Sequence, residues 1–350
     1  MLDFTQDEFT SGLTIYMVGG AVRDVVLGRP FTERDWVVVG SSADDLIKRG
    51  FKQVAKFFPV FIHPVTGEEY ALARTERCIG QRHRDFSCNT EVVTLEEDLL
   101  RRDFTMNSLA MNAQGDIIDC HGGRSDIKNR IIRHVSDAFS EDPLRIFRLA
   151  RFYAVLKFDV DPSTQALVEN MIKNNQHRNI AQERITKELD KSGASISRMI
   201  EFLARISLPH IEVHDSQLVS LAKIPTDFLR DMRFAVCLYF VPTLIHYLTM
   251  TSYGHKIYKV IKRFSQLKSS EDILNFILSC KGIQSQYMLL QHCTDIMSFI
   301  HGSFSPIDII KARDYIVLHA IKDIRSYPTA KRQQVIRRHQ LSLIESLLAR

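Results

Sequence analysis

The stretch Thr14-Ile15-Tyr16-Met17-Val18-Gly19-Gly20-Ala21-Val22-Arg23-Asp24 decides the fold class. Thr14–Val18 is rich in β-branched and aromatic residues and predicts a strand. It runs into Gly19-Gly20, and residues 21–27 then predict a short helix, stopped by Gly28 and Pro30. Residues 36–39 predict a buried strand closed by Gly40. Residues 41–48 predict a helix with Ser42 as N-cap and Gly50 as stop. Residues 59–63 and 70–73 predict further strands, turning at Thr66-Gly67. Strands interleaved with helices give a small α/β domain over the first ~135 residues.

Glu33 and Asp35 stand two apart where the chain enters the strand at Trp36. Residues i and i+2 of a strand share a face, so two carboxylates are presented together. They repel unless a cation sits between them, and hard oxygen ligands suit Mg²⁺, which also binds substrate phosphates. The Gly-Gly turn lets backbone N–H groups approach a phosphate, and Arg23 adds charge-assisted hydrogen bonds. A glycine turn followed by a solvated acidic turn has the same sequence signature.

A second cluster, Arg101-Arg102-Asp103-Phe104-Thr105-Met106-Asn107, offers guanidinium clamps for a triphosphate and polar partners for ribose hydroxyls. It also fits a helix capped by Asp103 with both arginines in solvent. A third, Glu141-Asp142-Pro143-Leu144-Arg145, continues through Arg148 and Arg151. Asp142 fits a helix cap, with Pro143 in the first position. Leu144, Phe147, Ala150 and Ala154 supply an apolar stripe, while the three arginines advance along another side. Asp accepts and Arg donates, so together they can pair with the edge of a base; a cap with an exposed basic face is the plainer alternative.

Beyond Asp142 the texture is helical. Residues 181–189 predict a helix and 191–194 a break. Residues 195–350 predict a bundle interrupted near Pro209, Pro225, Pro242 and Pro306, ending in a basic amphipathic helix over 331–350. The chain has 350 residues, 45% hydrophobic and 25% charged, which excludes disorder, collagen and coiled coil as overall descriptions. No apolar run reaches the roughly 18 residues a membrane helix needs. Asp3, Asp7 and Glu8 replace the basic start of a signal peptide. Six scattered cysteines without a CxxC pair fit reduced thiols, and with them a cytoplasmic location. A net charge of +5 is compatible with a polyanionic partner.

In this order and spacing, the three clusters closely resemble the motifs of class II bacterial tRNA nucleotidyltransferases, the CCA-adding enzymes. A later element, Glu183-Arg184-Ile185-Thr186-Lys187-Glu188-Leu189, resembles a further motif of that family, and the likeness covers about residues 14–200. It implies an α/β head of the polymerase β-like nucleotidyltransferase type, a small mixed β-sheet with helices over residues 1–138. An all-α remainder follows: a neck over 139–200, then a body and tail over 201–350. It further implies template-independent addition of CCA to the tRNA 3′ end from CTP and ATP, with no membrane and no stable protein partner. Glu33 and Asp35 would hold Mg²⁺. Gly20, Arg23, Arg102, Arg148 and Arg151 would bind the incoming nucleotide, alongside Asp103 and Asn107, and Asp142 and Arg145 would pair with its base.

The family pattern departs at Glu33, where Asp is usual. Glu reaches about 1.5 Å further, and the enzyme is expected to remain active because the other motif residues are intact. The C-terminal half lacks a convincing His-Asp set of a phosphohydrolase: His210, His214 and Asp215 stand without later partners. A bacterial poly(A) polymerase is the nearest rival, but residues 51–59 lack the Arg-rich segment expected there. Residues 77–94, with Gly80 and Gln81, are long enough for the flexible loop of a full CCA-adding enzyme rather than a partial one. A tRNA-binding protein that has lost catalysis is the alternative of another class.

Overall fold

The computed structural model describes residues 6–31, 33–54, 59–78, 86–90 and 92–264. It also describes residues 292, 293, 295–297, 299, 300, 336–338, 341 and 342. Two compact units emerge, Met1–Pro209 and His210–Arg350.

The first unit opens with β1 (Thr14–Val18), α1 (Gly20–Val26), β2 (Asp35–Val39), α2 (Ala43–Lys48) and β3 (Lys52–Gln53). It continues with β4 (Val60–Ile62), β5 (Glu69–Leu72), β6 (Thr75–Cys78), β7 (Phe86–Asn89) and α3 (Leu95–Leu100). Then come β8 (Leu109–Met111), β9 (Ile117–Asp119), α4 (Gly123–Asn129) and β10 (Ile131–Ile132). Seven strands form one mixed sheet in the order β3-β4-β5-β2-β1-β8-β9, with β2 and β5 parallel and every other pair antiparallel. Trp36, Val37 and Val38 are all buried. The sheet is covered on both faces, and a run apolar in consecutive positions is what such a strand needs. On one face Val18, Val37, Ala73, Val93, Leu99 and Ala110 make a single cluster. Tyr70 lies near-parallel to the Trp36 ring, their centroids 5.7 Å apart.

Strand β1 and helices α1 and α2 fall within a residue or two of their sequence expectations. The Ser42 side chain accepts from the Asp45 N–H, as an N-cap should. The strands β3, β8 and β9 and the hairpin β6–β7 were not anticipated. Each has four residues or fewer, too short for alternation to stand out. Residues 79–85, which include Gly80 and Gln81, and residues 55–58 lie outside the described residues.

A helical layer completes the unit: α5 (Arg145–Leu156), α6 (Pro162–Lys173), α7 (Gln182–Lys191) and α8 (Ile196–Arg205). Leu144, Phe147, Ala150 and Ala154 are buried, so the expected stripe of α5 faces the core. Each buried Phe or Leu contributes about 1.5–3 kcal/mol. One departure from an all-helical layer is β11 (Asp159–Val160), which pairs parallel with β10.

The second unit contains α9 (Asp215–Ala222), α10 (Arg230–Phe240) and α11 (Ser252–Phe264), with a 3₁₀ turn at Pro242–His246. Chain breaks at Pro225 and Pro242 stand where expected. The break at Pro306 and most of the basic helix over 331–350 lie outside the described residues. Among the described residues, no helix is long and apolar enough to cross a membrane.

Candidate nucleotide-binding site

The register Val18↔Asp35 places the Gly19-Gly20 turn beside the start of β2. Gly19 has φ +75° and ψ −134°, a conformation open essentially to glycine alone. A Cβ there would lie 3.4 Å from Arg102 Nη1 and 3.9 Å from Asp35 Oδ2, so its lack of a side chain also leaves room beside both groups. On the other side of the strand entry, Glu68 accepts from Arg34 Nε at 2.6 Å and Trp36 Nε1 at 2.8 Å. Alternation then leaves Glu33 and Asp35 facing a cleft of about 700 Å³.

That cleft gathers every residue singled out from sequence: Gly20, Arg23, Glu33, Asp35, Arg102, Asp103, Asn107, Asp142, Arg145, Arg148 and Arg151. They come from α1, the entry to β2, the segment after α3, the turn at Asp142 and helix α5. Arg101, expected as a clamp beside Arg102, and Leu144, expected in the apolar stripe, also line it; so do Phe152, Arg184 and Lys191, to which the sequence assigns no role of their own. Arg184 lies inside the Glu183–Leu189 segment, its only signal in the sequence; Lys191 falls at the expected chain break.

A continuous polar network runs along the wall. Arg23 forks onto Asp24 with two 3.0 Å bonds and donates to Asn107 Oδ1 at 2.9 Å. Asn107 Nδ2 donates to Asp103 Oδ1 at 3.2 Å, and Arg148 Nε donates to Asp103 Oδ2 at 2.7 Å. Glu188 closes the chain, accepting from Arg151 Nε at 2.5 Å, with Arg148 Nη1 3.7 Å away. The guanidiniums of Arg23, Arg148 and Arg151 all stand over the Phe152 ring, Arg151 closest at 3.9 Å.

This network corrects the simpler possibility for the second cluster. Asp103 is not an exposed cap: it is buried, and a 3₁₀ turn over Thr105–Asn107 follows it. Burial alone would raise its pKa, but Arg148 and Arg145 hold it down at about 2. Nor are Arg101 and Arg102 solvated. Both bond the fully buried Asp98, at 2.6 and 2.9 Å, and against its burial they hold that carboxyl at about 2. The expected cap at Asp142 forms as a turn: its Oδ1 accepts from the Leu144 N–H at 3.1 Å, and the helix proper begins at Arg145.

Glu33 and Asp35 differ from these acids. Asp98, Asp103, Asp142 and Glu188 are each paired with arginine. Among the described residues, neither Glu33 nor Asp35 has an ion pair. The Asp35 carboxyl is pushed up, first by loss of water in the cleft and then by Glu33, against the opposing pull of Arg102 and Lys191. The arrangement is an unneutralised acid pair in a cleft with an excess of basic side chains, suited to a cation together with a polyphosphate.

Residues 15–133, within the first unit, match the family described as the poly A polymerase head domain. Individual relatives named for CCA addition are similar over part of the chain. The "Multifunctional CCA protein" of Pseudoalteromonas atlantica is 52% identical over 184 residues, which cover 51% of this chain and 45% of that protein. The "CCA-adding enzyme" of Alteromonas mediterranea is 50% identical over 184 residues, 51% of this chain and 46% of that one. The chain thus spans about half the length of the curated relatives it matches. Its fold resembles that of the Bacillus stearothermophilus CCA-adding enzyme solved with CTP, with a TM-score of 0.64 and 23% identity. That match covers 96% of this chain and 89% of the other.

Proposed function

We propose that the protein adds CCA to the 3′ end of tRNA from CTP and ATP without a nucleic-acid template, releasing pyrophosphate. One observation carries this reading: a single cleft holds an acid pair without arginine partners, a glycine turn, a wall of arginines and the Asp142–Arg145 pair. The two curated relatives named for CCA chemistry support it, whereas the head-domain match alone fits a poly(A) polymerase equally.

The acid pair fits a divalent cation. Among the described residues no three His, Cys, Asp or Glu side chains are arranged as a metal site. Two carboxylates plus substrate phosphates are what Mg²⁺ commonly uses. When bound there by Glu33 and Asp35, the ion supplies charge neutralisation on the transferring phosphoryl group and activation of the tRNA 3′-hydroxyl. Arg23, Arg102, Arg148 and Arg151 bind and orient the nucleotide, with Gly20 allowing close approach of its phosphates and Asp103 and Asn107 holding the arginines in place. Asp142 accepts from the amino group that cytosine and adenine share, and Arg145 donates to the neighbouring ring nitrogen.

The test is incorporation of labelled CTP and ATP into tRNA transcripts ending before CCA, after C and after CC, with Mg²⁺. Addition of C, C and A with arrest is expected. Long A tracts would make the protein a poly(A) polymerase, and one kind of addition would make it a partial enzyme. tRNA binding without pyrophosphate release would favour a scaffold that has lost catalysis, with Glu33 the first suspect.

A further inference from the structure

Asp142 has a second partner that its role in base pairing does not explain. Arg184, in the first turn of α7, donates from Nη1 to Asp142 Oδ1 at 3.3 Å and from Nη2 to Oδ2 at 3.0 Å. The Leu144 N–H takes another position on Oδ1, at 3.1 Å. A carboxylate offers about four acceptor positions. Three are filled, and the one left is on Oδ2. The pair is partly open to the cleft, with 23% of the Asp142 side chain and 25% of the Arg184 side chain exposed.

We infer that Arg184 is the specificity-positioning residue of this site: by holding the Asp142 carboxylate in one orientation as an acceptor, it restricts the cleft to bases that present an amino group there. The inference rests on the cleft being a nucleotide site. Cytosine and adenine carry an exocyclic amino donor, whereas uracil and guanine carry a carbonyl oxygen at the matching place. An acceptor fixed at Oδ2 pairs with the first two and meets the other two lone pair to lone pair. Without the guanidinium the carboxylate is free to turn about Cβ–Cγ, so its open acceptor position is no longer held where the amino group of the base falls. Arg145 cannot replace this tether: it stands over the Phe139 ring and donates to the Ala138 and Arg101 carbonyls at 3.1 and 2.6 Å. Arg148 and Arg151 are directed to Asp103 and Glu188.

The experiment is equilibrium binding of CTP, ATP, UTP and GTP to the full chain with Mg²⁺, for wild type, Arg184→Gln, Arg184→Lys, Asp142→Ala and the Arg184→Gln/Asp142→Ala double variant. Wild type should prefer CTP and ATP. Arg184→Gln should cut the CTP-to-UTP preference by about tenfold or more. The double variant should be no less selective than Asp142→Ala alone, because Arg184 acts through Asp142. Thermal midpoint and tRNA affinity report whether the fold is intact. If Arg184→Gln does not fold, Arg184→Lys carries the test: a single ammonium lacks the planar fork, and the preference must still drop. An unchanged preference in a folded Arg184 variant overturns the inference, as does a double variant less selective than Asp142→Ala. A wild type that binds CTP over UTP yet adds no nucleotide defeats the CCA-adding reading and leaves this inference standing.

Discussion

At the scale of single residues, the sharpest question is the acid pair. Glu33 is one methylene longer than the Asp of related motifs, and it stands just outside β2, where the backbone is not held by the strand ladder. That position gives the longer side chain room to adjust. Glu33→Asp should therefore keep nucleotide incorporation within about tenfold of wild type, while Asp35→Asn should lower it by about a thousandfold or more, as measured by single-turnover assays. The electrostatics can be read without turnover. Desolvation and Glu33 raise the Asp35 pKa above the ordinary 3.8. As pH falls, Asp35 thus takes up its proton earlier than an unperturbed aspartate does. In metal-free protein, ¹³C NMR titration should place Asp35 above that value, and Glu33→Gln should bring it down by removing the like charge.

At the scale of elements, two buried acids, Asp98 in α3 and Asp103 in the segment that follows it, organise arginines that line the cleft. Asp98 and Asp103 both titrate near 2 when folded, against 3.8 for an unperturbed Asp. A depressed folded pKa gives stability that is present above the unfolded value and lost as pH falls toward the folded one. Each acid thus contributes about 2 kcal/mol that disappears between roughly pH 4 and pH 2, visible as a falling denaturation midpoint in that window. Asp98→Asn should cost about 3 kcal/mol at neutral pH, because it leaves the Arg101 and Arg102 guanidiniums without their buried partner. Glu188, in α7, holds Arg151 and stands beside Arg148. Glu188→Gln should weaken CTP binding about tenfold with a smaller effect on the chemical step, since it loosens arginines without touching the acid pair.

At the scale of the whole molecule, the cleft lies wholly within Met1–Pro209. A ligand stabilises the unit that binds it, so CTP at a hundred times its dissociation constant should raise the stability of that unit by about 2.7 kcal/mol. Urea melts followed by a probe in each unit would separate the two. An unchanged first transition would place the nucleotide elsewhere. tRNA affinity should fall steeply between about 50 and 200 mM salt, as expected when basic side chains neutralise phosphates.

The sequence alone marked most of the residues that the cleft brings together and what sort of element carries most of them. Gly19-Gly20 between a β-branched run and a short helix, the Glu33–Asp35 spacing and the apolar stripe of α5 are local patterns, set by backbone sterics and side-chain period. The tertiary structure decided the rest, because it depends on contacts between residues distant in the chain. The register Val18↔Asp35 is a long-range pairing that brings the glycine turn to the acids. Strands of two or three residues such as β8 and β9 exist because the sheet supplies their partners. Asp103 reads locally as a helix cap, and only Arg148, 45 residues away, makes it a buried ion-pair partner. Arg184 reaches Asp142 across 42 residues, a contact that no local period or propensity encodes.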